Sequence, residues 1–391
     1  MIRSRLSTVA VLALLLAVMP FALSTQLAQA AAPEGAKAVA AALQPFVDSN
    51  TLAGAVVLVA SKDKVLCLEA VGYADVAAKK PMPTDALFWI ASQSKPITAT
   101  ALMILVDEGK VNVDDPVEKY LPEFKGQMFV AEKDAAERML LKKPKHPITV
   151  KNILSHTSGL PFKSPIEQPT LDLYPLALRV QSYAMLPLEF EPDTKYQYSN
   201  AGINTAGRII EVVSGMPYEQ FVTERIFKPL GMKDTTSFPS EEQIKRLAKS
   251  YKPNAKKDGL EETTIWQLKY PLTDPQRQPM PAGGFFSTAT DLSIFYRMIA
   301  NGGTFEGKRI LSEHAFKTMT SKQTGDLPTP YGFGFSTGGK IGHGGAYNTN
   351  SSFDSAKGLI TIFLVQHAGW SDEGKKILPA FQKAATEAFA K

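Results

Sequence analysis

The chain has 391 residues, 44% hydrophobic, 21% charged and 9% aromatic, which is the usage of a globular protein and not of a disordered or fibrous one. A formal charge of +5, with lysines and acids interspersed, argues against a nucleic-acid partner, and the short basic run at 142–145 carries a proline and reads as a solvated loop. A single cysteine, Cys67, excludes an internal disulfide.

In chain order, Arg3 and Arg5 precede an apolar run over 9–23, and Ala28-Gln29-Ala30 supplies small residues before a cleavage point. This is the pattern of a signal peptide (1–30) cut after Ala30. The run is about 15 residues and contains Pro20, short for a membrane span. The expectation is a periplasmic or secreted mature chain, 31–391, with no stable membrane anchor. Residues 36–48 predict an amphipathic helix. Apolar runs at 55–60 and 65–71, joined by the polar turn 61–64, predict a hairpin, with Cys67 as a small buried hydrophobe. Residues 97–106 are apolar on every face and stop at Gly109, which predicts a buried helix. The stretch 110–290 reads as helical and loop-rich. Thr149 caps a helix to Leu154 that Ser158-Gly159 closes, 201–213 is helical up to Gly215, and 218–226 follows. A helix over 291–300, strands at 332–335, 347–353 and 359–366, and a helix over 375–390 complete the chain.

Strands at both ends around a helical middle, without strand–helix alternation, predict an α+β fold. One mostly antiparallel sheet is built from both chain ends, as a lobe of about 31–110 and 290–391. A helical lobe of about 111–289 is inserted, the two share a core, and the active site lies in the cleft between them.

Ser92-Gln93-Ser94-Lys95 sets a hydroxyl and an amine one helical turn apart on one face. A serine attacks only once something takes its proton, and a lysine desolvated by the following apolar helix can do so. The spacing alone fits an N-cap serine beside an ordinary helix lysine equally well. A second match, Ser61 to Lys64, falls on the hairpin turn and reads as turn chemistry. Tyr198-Ser199-Asn200 precedes the helix at 201; a tyrosine whose pKa is depressed by nearby cations relays protons, and an asparagine holds an amide or carbonyl. His343-Gly344-Gly345 lies between strand-like stretches, where glycines admit a substrate to the backbone.

In this order the three motifs resemble the serine β-lactamase-like and penicillin-binding family, in the branch of class C β-lactamases, D-alanyl-D-alanine carboxypeptidases and related esterases. Leu154-Ser155-His156-Thr157-Ser158-Gly159-Leu160-Pro161 and Ala282-Gly283-Gly284-Phe285-Phe286-Ser287-Thr288 are also similar to stretches of that branch. The resemblance implies a flanked antiparallel sheet with a helical lobe. It implies Ser92 as the acylated nucleophile, Lys95 as its proton acceptor and Tyr198 as the shuttle that protonates the leaving group and activates the deacylating water. Asn200, His343, Gly344 and Gly345 would bind substrate, and the backbone N–H groups of Ser92 and Ala346 would form the oxyanion hole. His156 and Gly159 would serve packing and turn geometry. Class C enzymes carry a lysine at the position of His343 and a hydroxyl residue at that of Gly344. A histidine is only partly charged at neutral pH, so it holds a substrate carboxylate less well and adds a pH–rate limb in its own range.

The expected activity is therefore hydrolysis of small-molecule esters, D-residue amides or peptidoglycan-like substrates, with weak or no β-lactam turnover. A true class C-type β-lactamase or D-alanyl-D-alanine carboxypeptidase is the near alternative, and a non-catalytic penicillin-binding-like sensor the distant one. No cofactor or metal is expected: His146, His156, His314, His343 and His367 are scattered and no HExxH occurs. Gly334-Phe335-Ser336-Thr337-Gly338 competes as a nucleophile elbow, with Asp354 and His367 following in order, but the glycines after it oppose the required helix. Oligomeric state is not legible.

Overall fold

The computed structural model describes residues 34–390, so the signal-peptide reading lies outside the described residues. Six segments, Gly54–Ala60 (β1), Val65–Asp75 (β2), Lys80–Pro81 (β3), Ile341–Gly344 (β4), Asn350–Asp354 (β5) and Leu359–Leu364 (β6), form one sheet. Its order is β4–β5–β6–β1–β2–β3 and every pairing is antiparallel. Strands from both chain ends thus meet at the β1–β6 pair, as the α+β reading expects.

β1 is buried at all seven positions because both sheet faces are covered. The period of two sorts its side chains. Ala55, Val57 and Val59 pack with Phe363 beneath the first helix, Glu34–Ala41 (α1), and the last, Ile377–Phe389 (α6). Val56, Leu58 and Ala60 face a larger core with Ser94–Asp107 (α2), Val150–Ser155 (α3), Asn200–Ser214 (α4) and Ala289–Ala300 (α5). That cluster runs without a break from the sheet into the helical middle.

Local differences have local causes. The first helix divides, a short helix Gln44–Asp48 following with Pro45 in its first turn. Residues 332–335 are a bend and not a strand: Gly334 has φ 73°, and a Cβ there would lie 2.7 Å from Lys95 O, so the chain turns as it presses on α2. The edge strand is instead β4, over the glycine-rich run that carries His343. The helical middle also holds two hairpins, Phe129–Lys133 with Met139–Lys142 and Ser250–Pro253 with Leu260–Thr263. Met139–Lys142 is exposed at every position, so it carries no alternation to read. No helix among the described residues is long and apolar enough to cross a membrane.

Candidate active site

The segment before α2 is clamped from one side. Phe88–Trp89 pairs antiparallel with Phe286–Ser287, Ile90 N–H donates to Phe285 O at 3.0 Å, and Trp89 Nε1–H donates to Gly283 O at 2.8 Å. Ala91 then takes a left-handed φ of 46°, and a 3₁₀ turn, Ala91–Gln93, delivers Ser92 just ahead of α2. Ser94 Oγ braces this turn, donating to Ala91 O at 2.7 Å and accepting from Phe285 N–H at 3.1 Å. Ser92 therefore lies in the turn ahead of α2, and Ser94 opens the helix.

Lys95 is fully buried in the first turn of α2. Its Nζ lies 3.1 Å from Ser92 Oγ, 2.8 Å from Asn200 Oδ1 and 2.7 Å from Ala282 O. None of these partners is a carboxylate, and burial alone holds the amine well below the ordinary lysine pKa. A neutral amine carries two N–H bonds and one lone pair. The two carbonyl oxygens take the hydrogens, which leaves the lone pair for the Ser92 hydroxyl.

Asn200 opens α4, whose N-cap Ser199 accepts from Gly202 N–H at 3.0 Å and is itself anchored to Pro161 O at 2.6 Å. Its Oδ1 is committed to Lys95, so the side chain supports the amine as well as facing the cleft. Tyr198 lies with its ring 4.6 Å from Lys95 Nζ and its hydroxyl 3.5 Å from His343 Nε2. Burial raises its phenol pKa, against a hydrogen bond with Ser92 that lowers it. This corrects the depressed value expected from nearby cations: the phenol keeps its proton.

His343 sits on β4, partly exposed, with Nδ1 2.6 Å from Gly344 O and Nε2 3.1 Å from Tyr331 Oη. Burial first, and the Lys95 charge second, hold its pKa below the ordinary histidine range, while the Gly344 bond opposes them. The imidazole is neutral at neutral pH, so the expected pH–rate limb does not belong to it. A Cβ on Gly345 would lie 2.5 Å from Ile90 O and 2.2 Å from Thr349 Oγ1, so only glycine lets β4 close on the segment before Ser92. Gly344 is open, its nearest neighbour Thr349 O at 3.6 Å. The Ala346 N–H that follows has no partner among the described residues.

The structure thus gathers Ser92, Lys95, Tyr198, Asn200 and His343 at one place. It adds three groups that the sequence reading did not assign to the chemistry. The Ala282 carbonyl acts through the backbone, which leaves no residue-type signal. His156, left-handed at the end of α3, accepts Ser199 N–H on Nδ1 at 3.2 Å and packs on Tyr198 with 4.6 Å between ring centroids. Tyr331 reaches His343 from a glycine-rich bend.

The competing constellations stay apart. Ser336 is tied through its backbone to Gly342, while His367 Nε2 accepts Ala53 N–H at 3.2 Å and stacks on Trp370. No helix follows Ser336; the chain runs into β4. Ser61 Oγ caps its own exposed turn, accepting from Asp63 and Lys64 N–H. Among the described residues no cluster of His, Cys, Asp or Glu has the makings of a metal site.

Known proteins resemble the chain over most of its length. The Beta-lactamase family model matches residues 39–385. Protein Rv1367c of Mycobacterium tuberculosis is 30% identical over 367 residues, covering 84% of this chain and 89% of its own length. Esterase EstB of Burkholderia gladioli is 28% identical over 357 residues, covering 81% and 86%. The solved structure of EstCE1, a hydrolase with promiscuous acyltransferase activity, shares the fold with a TM-score of 0.74 at 24% identity, covering 90% of this chain and 98% of that one. Since the match embraces nearly every described residue, from α1 to α6, the chain belongs to the beta-lactamase family of serine hydrolases.

Proposed function

We propose that the chain is an exported serine acyl-hydrolase that forms an acyl-enzyme on Ser92 and acts on esters or D-residue amides, with weak or no β-lactam turnover. The observation that carries this reading is the amine of Lys95, buried without a carboxylate and 3.1 Å from Ser92 Oγ. Ser92 Oγ attacks the substrate carbonyl as its proton passes to the Lys95 lone pair. The oxyanion that forms is held by the N–H groups of Ser92 and Ala346. As the carbonyl carbon–leaving group bond breaks, its electron pair goes to the departing atom, which takes the Tyr198 phenol proton. Tyr198 regains a proton from the Lys95 ammonium lying over its ring. Water then repeats the sequence in reverse to free Ser92.

Weak β-lactam turnover is supported by His343, a neutral imidazole where a permanent cation would hold a carboxylate. Intact-mass measurement after exposure to a p-nitrophenyl ester, a D-Ala-D-Ala peptide and a penicillin tests the reading. A transient adduct from ester or peptide, absent in Ser92→Ala and kept in Ser336→Ala, is expected. Full acylation of Ser92→Ala overturns the assignment, and rapid penicillin turnover overturns the substrate class. Export is tested by the N-terminal residue of the protein recovered outside the cytoplasm, expected to be Ala31; an intact Met1 there, or retention inside the cell, defeats it.

A further inference from the structure

The site holds two phenols and one imidazole lone pair. His343 donates Nδ1–H to Gly344 O at 2.6 Å, which fixes the tautomer and leaves Nε2 as acceptor. Tyr331 Oη lies 3.1 Å from that nitrogen and Tyr198 Oη 3.5 Å. Only one hydroxyl can donate to it at a time. Tyr331 is 4% exposed and its hydroxyl has no other hydrogen-bond partner among the described residues. Turning that O–H away would bury an unpaired donor. Tyr198 is only partly buried, so its hydroxyl can turn into the cleft instead. The arrangement that satisfies both phenols is Tyr331 on His343 and Tyr198 turned into the cleft, where Lys95 Nζ lies 4.6 Å from its ring and 3.1 Å from Ser92 Oγ.

We infer that Tyr331 is a positioning residue: by occupying the His343 lone pair it keeps the Tyr198 phenol hydrogen aimed at the reacting oxygens. The ring cannot easily leave this post, because it is packed against His156 and Tyr196 with 4.8 and 5.7 Å between centroids. In Tyr331→Phe the ring stays but the His343 lone pair falls vacant. The Tyr198 hydroxyl, already within reach, turns to fill it, and its hydrogen leaves the path of the departing group.

The inference rests on the reading of Tyr198 as the acid that protonates the leaving group. An alkoxide must take that proton as the carbon–oxygen bond breaks, with the bond's electron pair on the departing oxygen. A p-nitrophenolate departs without one. The role therefore shows in leaving-group dependence, which a merely structural tyrosine would not change.

The experiment measures kcat/KM for a series of acetate esters, from p-nitrophenyl to ethyl, in the parent, Tyr331→Phe and Tyr198→Phe proteins. Tyr331→Phe is expected to lose about tenfold or more on the ethyl ester and to stay within about threefold on the p-nitrophenyl ester, which also shows that it is folded. Equal loss on both esters, or loss on neither, overturns the positioning role. An unchanged slope in Tyr198→Phe overturns the acid reading beneath it, and the two failures are told apart by which variant fails.

Discussion

Lys95 is the residue on which the chemistry turns, and its environment dictates how activity must follow pH. Burial favours the neutral amine, which is the form that accepts the Ser92 proton. kcat/KM should therefore rise with pH along one ascending limb, set below the ordinary lysine range. His343→Gln should lower the plateau but leave that limb in place, because the imidazole it removes is already neutral. A limb that moved with this substitution would assign the titration to His343. The same shift bears on stability. An unfolded Lys95 binds its proton up to about pH 10.4, so between the folded and unfolded values the unfolded chain holds the extra proton and this residue's contribution improves as pH rises. The motif residues were legible because each needs a particular side-chain type. The signs of the Tyr198 and His343 shifts were not, since they depend on how much protein surrounds the ring.

Elements explain why the nucleophile is held so firmly. The turn that delivers Ser92 begins with a left-handed Ala91, a conformation costing a non-glycine residue about 1–2 kcal/mol, and the Gly283–Ser287 stretch holds it there. β4 closes the other side, and Gly345 and Gly344 separate packing from recognition. Gly345→Ala must push Ile90 and Thr349 aside, so it should cut kcat/KM by about a hundredfold while costing about 1–3 kcal/mol of stability. Gly344→Ala meets no close atom, so its melting temperature should match the parent's, and any activity change reports a substrate lying on that backbone. Thermal melts and ester kinetics on the pair check this; equal destabilisation by both would remove the distinction. The β1–β2 hairpin and α2 could be read from apolar runs and turn residues. β4 was missed because the glycines around His343 give no hydrophobic period, and strand character there comes from pairing with β5.

At the scale of the whole molecule, the sheet divides the protein into a working side and a supporting side. Ser92 and its partners draw on the core shared by α2, α4 and α5, whereas α1 and α6 close the opposite face, and α6 reaches the rim of the site only through Gln382, which lines a cavity with His343 and Gly344. That division follows from building the sheet from both chain ends, which the order of strands and helices announces before any coordinate is known. It also separates stability from chemistry. Phe381 on α6 is fully buried and stacks on Phe363 of β6 at 5.8 Å between ring centroids. Phe381→Ala removes the largest side chain that α6 buries against the sheet and leaves a cavity worth about 3–5 kcal/mol. Against a total stability of about 5–15 kcal/mol the protein should still be folded at 25 °C but melt at a clearly lower temperature. Its kcat and kcat/KM at 25 °C should match the parent's, because no atom within reach of Ser92 has moved. A thermal melt beside ester kinetics decides it: an unchanged melt would mean the rear face is not a load on the fold, and a fall in kcat at 25 °C with full folding would mean the two sides are coupled through the sheet.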